Sequence, residues 1–479
     1  MDVKASAMTR RQATDPDGPT GRLATWLAGL QLEHVPQAVR DRAAYLMLDG
    51  IGCALVGAKL PWSAIAVESL CALEGSGQAM LIGWERKVTP SVASLLNGTF
   101  IQGFELDDFH PYAPLHSASV VLPALFACAE ASERRRPQPS GADLLRATIA
   151  GFEVGPRVGL ALHGIDMLSR GWHSGAVFGT HAAAAAVGAL LGLDAAGFED
   201  ALGMAGTQSA GLMAAQFEAM SKRMHHGFAS RAGLTAAWFA ADGYTGIKRV
   251  YERPYGGFLS VFGEGHDPDS SQVAGALGER WETDRIVVKI HAAMGGNQST
   301  VDAIATVRKE RPFRPDELRS LEIGVGHAVY HHGGFAVQRP LSSIGAQMSL
   351  IYTAAVACLD GAAGVPQFAP ERIDADDVWA LVPRITTREE AGLNDPDGRT
   401  AARLRFTFSD GTVREVRQRL RMSPDISNAE IVGKFVAMTD GVITAERRDR
   451  IVEAVTGLEA SADIRPLLSL LGPEATSPI

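Results

Sequence analysis

The sequence lacks most of the signatures that announce familiar chemistries. Only four cysteines occur in 479 residues: Cys53, Cys71, Cys128 and Cys358. No two form a CxxC pair, and each sits in an apolar, helix-like stretch. They read as buried thiols, and the spacing argues against a disulfide framework or a zinc site. There is no HExxH, no GxxxxGK[ST] and no GxSxG, which removes zincin, P-loop and nucleophile-elbow chemistry. Gly324-Val-Gly326 lacks the third glycine of GxGxxG. No run of Lys or Arg rises above a net charge of −9, so no nucleic-acid partner is expected. The longest apolar run, Ala182 to Leu193, falls short of the ~20 residues of a membrane span, so no membrane is expected either. Residues Met1 to Gly21 are polar, broken by Pro16 and Pro19, and carry no apolar segment with a cleavage site. Residues 1–20 are therefore expected to be a disordered leader on a soluble, cytoplasmic protein.

The chain does have ample material for a core. Hydrophobic residues make up 46%, within the usual globular range, and the length suits two or three domains. From Thr20 to Gly265 the pattern is helical nearly throughout. Pro36 and Pro123 are each placed to open a helix, and Gly141 to Gly164 reads as another. Thr180 to Leu191 is almost all small and apolar, so it is expected to be a central, buried helix. Asp194 opens the next one. The texture changes near Arg285. Arg285-Ile-Val-Val-Lys289 reads as a strand, as does Leu318 to Val325. Ala402 to Phe408 and Val413 to Leu420 alternate around Ser409-Asp-Gly-Thr412, a hairpin signature. Helices are expected at Ser299 to Lys309 and Ser343 to Leu359, and again at Asn428 to Met438 and Ala445 to Leu458. The expected fold is mainly α. A discontinuous helical domain (21–283 and 422–479) would carry an inserted α+β lid (284–421).

Five places hold residues that could do chemistry. Phe104-Glu105-Leu-Asp107-Asp108-Phe-His110…His116-Ser puts three carboxylates and two histidines in one Pro-containing loop, where Asp107 or Asp108 could orient a histidine. A solvated acidic turn is the plain alternative. Arg170-Gly-Trp-His173-Ser-Gly brackets a histidine with glycines, although a helix-capping histidine would look the same. Ser221-Lys222-Arg223-Met-His225-His226 could grip an anion or be an exposed basic turn. Lys289-Ile-His291 ends a predicted strand, suiting an anion clamp. Tyr330-His331-His332-Gly-Gly follows another strand, with surface exposure as the bland reading. An inventory of His, Lys and Asp without a metal or nucleotide motif fits proton transfer on a polyanionic small molecule.

At these residues the chain resembles the MmgE/PrpD family. The matching pieces run in order along most of the chain: Leu48-Asp-Gly-Ile-Gly-Cys-Ala-Leu-Val-Gly57, Leu96-Asn-Gly98, Asp107-Asp108, His116-Ser, Val121-Leu-Pro-Ala, Gly171-Trp-His173…Phe178-Gly…Leu190-Leu-Gly-Leu-Asp194, Ala201 to Gly211, and Lys222…His226-Gly. The resemblance implies a large helical domain with a smaller α+β lid, a homodimer, no cofactor or metal, and a site between the domains. It implies dehydratase, decarboxylase or epimerase chemistry on small carboxylates. Carried over by motif, its site residues fall on Asp107, Asp108, His116, Met167, His173, Lys222, Lys289 and Tyr330. Glu105 falls where some members have a further carboxylate.

These residues suggest a lyase, first a hydro-lyase, on a di- or tricarboxylate. Lys222, Lys289 and Arg223 would hold carboxylates, His116 and His173 would move the proton, and Asp107 or Asp108 would orient a histidine. A racemase or epimerase, a decarboxylase, and a non-catalytic carboxylate-binding protein are the alternatives. The lid departs from the family pattern of lysine, aromatic, Pro, then Cys or His. Here Lys289-Ile-His291-Ala-Ala-Met294-Gly-Gly lacks the proline and puts Met294 at the polar position. The segment is expected to be loose, with His291 beside the clamp, and 2-methylcitrate is not the expected substrate.

Overall fold

The computed structural model describes residues 11–132, 138–394, 400–422 and 425–479. The predicted Ala-rich helix spans Ser174–Leu191 and is buried along nearly its whole length. Small side chains on every face let its neighbours come close. Helix Gly141–Ala161 approaches so near at Gly151 that a Cβ there would lie 2.9 Å from the Ala182 carbonyl. On helix His225–Ala241 a Cβ at Gly233 would lie 2.5 Å from the Thr180 carbonyl. This close approach fixes the start of helix Ser174–Leu191, capped by His173, beside the start of helix His225–Ala241. By length and apolarity Ser174–Leu191 could cross a membrane, but it is packed inside the protein.

The lid sheet has the order β4-β3-β5-β6, with β3 at Leu318–Val325, β4 at Ile385–Glu389, β5 at Ala402–Phe408 and β6 at Val413–Gln418. β3 and β4 are parallel, and the predicted β5–β6 hairpin is antiparallel. Helices Asn428–Thr439 and Ala445–Thr456 pack back onto helix Gln37–Ala58. Gly52 makes room there for Phe435 and Met438, and Lys434 pairs with Asp49 at 2.6 Å.

Several local expectations are corrected. Pro123 lies inside helix Ser117–Ser132 rather than opening it. The carboxylate of Asp108 accepts the amides of Ser117 and Ala118 and so sets the true start. A hairpin of β1 (Ser76–Leu81) and β2 (Arg86–Val88) interrupts the helical stretch. Residues 285–289 join no sheet, because Val287 finds its partner in Phe109 of the helical domain, an isolated bridge. The helix expected over 343–359 breaks at Ser349, whose hydroxyl caps the second half. Of the leader, residues 1–10 lie outside the described residues. Residues 11–18 are anchored: Arg11 bonds Asp194, Thr14 bonds Glu199, and Ala13 is buried. Cys71 is half-buried, while the other three thiols are buried.

Candidate active site

The acidic loop enters the core instead of solvent. Its carbonyls are seized by three side chains from three other elements. Arg223 Nε donates to Gly103 O (2.8 Å), Gln347 Nε2 to Phe104 O (2.8 Å) and Lys434 Nζ to Leu106 O (2.6 Å). Further along, Asp108 caps the next helix. His110 Nδ1 accepts the Ala113 amide, so its other nitrogen donates to Glu282, 3.1 Å away. Held this way, Glu105 adopts a left-handed backbone (φ 55°), unusual for a residue with a side chain.

That conformation drives the Glu105 carboxylate between two buried ammonium groups. Lys222 bonds one oxygen, and Lys289 lies 3.3 Å from the other. Lys289 is brought there by the Phe109–Val287 bridge, and it also lies 3.4 Å from Asp107. Asp107 in turn sits 3.0 Å from His116 Nδ1, close but not aligned as a hydrogen bond, as is common before substrate arrives. Burial alone would raise both carboxylates. For Glu105 the two lysines outweigh it and hold the group well below its ordinary range. For Asp107, His116 and Lys289 outweigh burial and lower it. Burial lowers Lys222, against the pull of Glu105.

Above this charged floor lies a layer of imidazoles. His173 stacks on His226 at 4.9 Å, and His226 lies 4.9 Å from His116. A Cβ at Gly175 would sit 2.4 Å from His226 Nε2, so that glycine serves the histidine stack rather than a ligand. His173 Nδ1 meets His225 Nδ1 at 2.8 Å. The Ser119 hydroxyl donates to His116 O, so His226 Nδ1 must donate to Ser119 Oγ, 3.0 Å away. His226 Nε2 is then a buried acceptor with no partner. Burial pushes His173 and His226 well below the ordinary histidine value, His225 to about 4 and His332 to about 4, with nearby cations adding to each. All four are neutral at pH 7.

A cavity of about 400 Å³ opens onto this arrangement, with Glu105, His116, His173 and Lys222 in its floor and Met294, Val329, His331 and His332 in its walls. Lys289 and Asp107 lie just beneath and act through Glu105 and His116. Asp107, His116 and His226 each bring a ligand atom within 4.8 Å of the others. The ammonium of Lys289 already stands against that carboxylate, and a divalent ion beside it would meet strong repulsion.

Besides Asp107 and Lys289, five predicted site residues do not line the cavity. Asp108 spends its carboxylate on the helix start. Arg223 lies behind the floor, stacked 3.9 Å over Trp62, and anchors the Glu105 loop. Met167 is buried with its sulfur toward Arg170, while its neighbours Ile165 and Leu168 reach the cavity. Tyr330 turns its ring against Gly334 and His331 on the short helix His327–Gly333. His291 turns away to Asp302, 3.0 Å distant, because the backbone there is not a strand. The lid segment is also not loose. Gln298 brackets it with bonds to Ile290, His291 and Ala293, and Asn297 ties it to Gln347, Ser349 and Thr353. Its glycines permit close packing, since a Cβ on Gly295 would lie 2.8 Å from Phe109. Sequence reasoning missed His225, His226 and His332 as site groups, although His225 and His226 stood beside Lys222 in the quoted motif.

Comparison with known proteins matches residues 21–271 to the MmgE/PrpD N-terminal domain and residues 291–459 to the MmgE/PrpD C-terminal domain. The chain belongs to the MmgE/PrpD family. It is 43% identical over 481 residues to the cis-aconitate decarboxylase-like protein oryM of Aspergillus oryzae, covering 98% of this chain and 100% of that protein. It is 39% identical over 490 residues to a cis-aconitate decarboxylase of Aspergillus terreus, with the same coverage. The cis-aconitate decarboxylase of Homo sapiens is 28% identical over 465 residues, 94% of each chain. As a member of the family, the chain is an enzyme of lyase type acting on a small carboxylate.

Proposed function

We propose that this enzyme decarboxylates cis-aconitate or a closely related unsaturated tricarboxylate. Dehydration stood first in the sequence reading, and the named relatives favour its decarboxylase alternative. The observation that carries the reading is the convergence of Lys222, Glu105, His116 and His173 on one cavity. The two lysines balance Glu105 and Asp107, and His173 is neutral. A tricarboxylate brings negative charge beside neutral imidazoles, which favours their protonation as it binds. Lys222 holds a carboxylate and stabilises charge developing next to it. The carbon–carbon bond to the departing carboxylate breaks and CO₂ leaves. Its electron pair moves across the double bond to the carbon beside another carboxylate. That carbon takes one proton, which His173 or His116 supplies. No water is added or lost, so Met294 in the wall is no handicap.

The test is side-by-side kinetics with CO₂ release. We expect cis-aconitate to give the highest kcat/KM, above ~10⁴ M⁻¹s⁻¹, and 2-methylcitrate and an amino-dicarboxylate to lag far behind. Efficient dehydration of 2-methylcitrate without CO₂ release would refute the reading. We also propose a homodimer. Exposed apolar side chains, Leu212 and Phe228 lining one groove and Phe239 beside Tyr244, support a second copy as their cover. Light scattering should report a dimer that Phe228→Asp weakens.

A further inference from the structure

At the mouth of the cavity, away from the charged floor, helix His327–Gly333 carries histidines four residues apart on one face. Their rings meet at 4.2 Å. Both face the end of β4, where His327 Nδ1 lies 3.1 Å from Glu389 Oε1 and His331 Nε2 lies 3.4 Å from Glu389 Oε2. The three ligand atoms sit within 4.8 Å of one another. Zn²⁺ binds such donors at about 2.0–2.2 Å in a tetrahedron, which sets neighbouring donors about 3.3 Å apart. Each histidine nitrogen already stands near that distance from one oxygen of the Glu389 carboxylate, His327 from Oε1 and His331 from Oε2. Among the described residues, Arg388, next to Glu389 in the chain, does not compete, because it is engaged by Glu322 at 3.0 Å and Glu390 at 3.2 Å. The side chains of His327 and His331 are more than half exposed (56% and 59%), so an ion reaches them without any unfolding.

We propose that His327, His331 and Glu389 form a binding site for a divalent transition ion of the Zn²⁺ class, with the fourth position left to water. The site regulates access to the cavity and takes no part in the chemistry. His331 is both a ligand and a wall of the cavity, so a bound ion ties the rim helix to β4 and hinders substrate entry.

Co²⁺ serves as the spectroscopic probe, added to substrate-free protein. We expect one bound equivalent in the wild type, with affinity at least about tenfold weaker in His327→Ala and in Glu389→Gln. Neither residue touches the cavity, so both variants should turn over normally in metal-free buffer. Undiminished binding in both variants would overturn the site. So would a single equivalent that survives both and vanishes in His116→Ala, which would place the ion at the buried trio. With free Zn²⁺ held constant against chelation by substrate, KM of the wild type should rise and that of His327→Ala should not. An equal response would overturn the regulatory role. The binding measurement involves no substrate, so it stands or falls apart from the decarboxylase reading.

Discussion

The floor and the rim of the cavity use the same residue types in opposite ways. On the floor, Glu105, Asp107, Lys222 and Lys289 are almost wholly buried and paired with one another. On the rim, His327, His331 and Glu389 make similar contacts in solvent. In the low-dielectric floor each charge depends on its partner, so chemistry and stability are bound together. At the rim water screens the same pairs, and they can change without harm to the fold. His173 and His226 lie between these limits, buried yet uncharged.

The comparison is most easily broken at Lys289. Replacing it with Ala leaves Glu105 and Asp107 buried with one fewer cation. Loss of one partner of a buried pair costs about 3–5 kcal/mol, so the urea midpoint should fall sharply and activity with it. An unshifted midpoint would mean the floor is not a mutually dependent unit. Next in size is His116→Ala. Here we expect kcat/KM to fall ~10²–10⁴-fold, with Asp107→Asn losing less, since it would act only by misorienting the histidine. A smaller effect is expected on stability with pH. His173 and His226 lie well below the ordinary histidine value when folded, and His225 and His332 lie at about 4. Below about pH 6.5 the unfolded chain takes up protons that the folded one refuses. Stability is therefore intact above that pH and drains away as pH falls through the folded values. Thermal melts from pH 7 to 4 should show the slope, and His173→Gln should flatten it. The smallest effects belong to residues turned away from the cavity. Tyr330→Phe and His291→Ala should leave kcat/KM within about twofold, the scale of ordinary peripheral contacts.

How much of this could be read in the sequence depended on the range of the forces involved. The Ala-rich helix, β3 and the β5–β6 hairpin were legible because side-chain periodicity is a local property. The strand expected at 285–289 failed because its pairing partner, Phe109, lies far back along the chain and offers only an isolated bridge. Glu105, His116, His173 and Lys222 were found by motif, and all four line the cavity. Arg223, Met167 and Tyr330 lie at the right positions in the chain but point elsewhere. Arg223 is turned by Gly103, 120 residues away, while Met167 and Tyr330 are turned by near neighbours, Arg170 and Gly334, whose contacts depend on how each short helix packs rather than on residue type. His226 was overlooked for the same reason, since its role comes from stacking between residues 116 and 173.

The central claim is that a neutral, buried histidine layer delivers the proton while the charged floor holds it in place. His173→Ala tests this most directly, with kinetics on cis-aconitate and a thermal melt run on the same preparation. The account predicts a fall in kcat/KM of ~10²–10⁴-fold in a protein that melts within roughly 2 °C of the wild type, the scale of about 1–2 kcal/mol in a chain of this length. Wild-type turnover in a folded His173→Ala protein would contradict it.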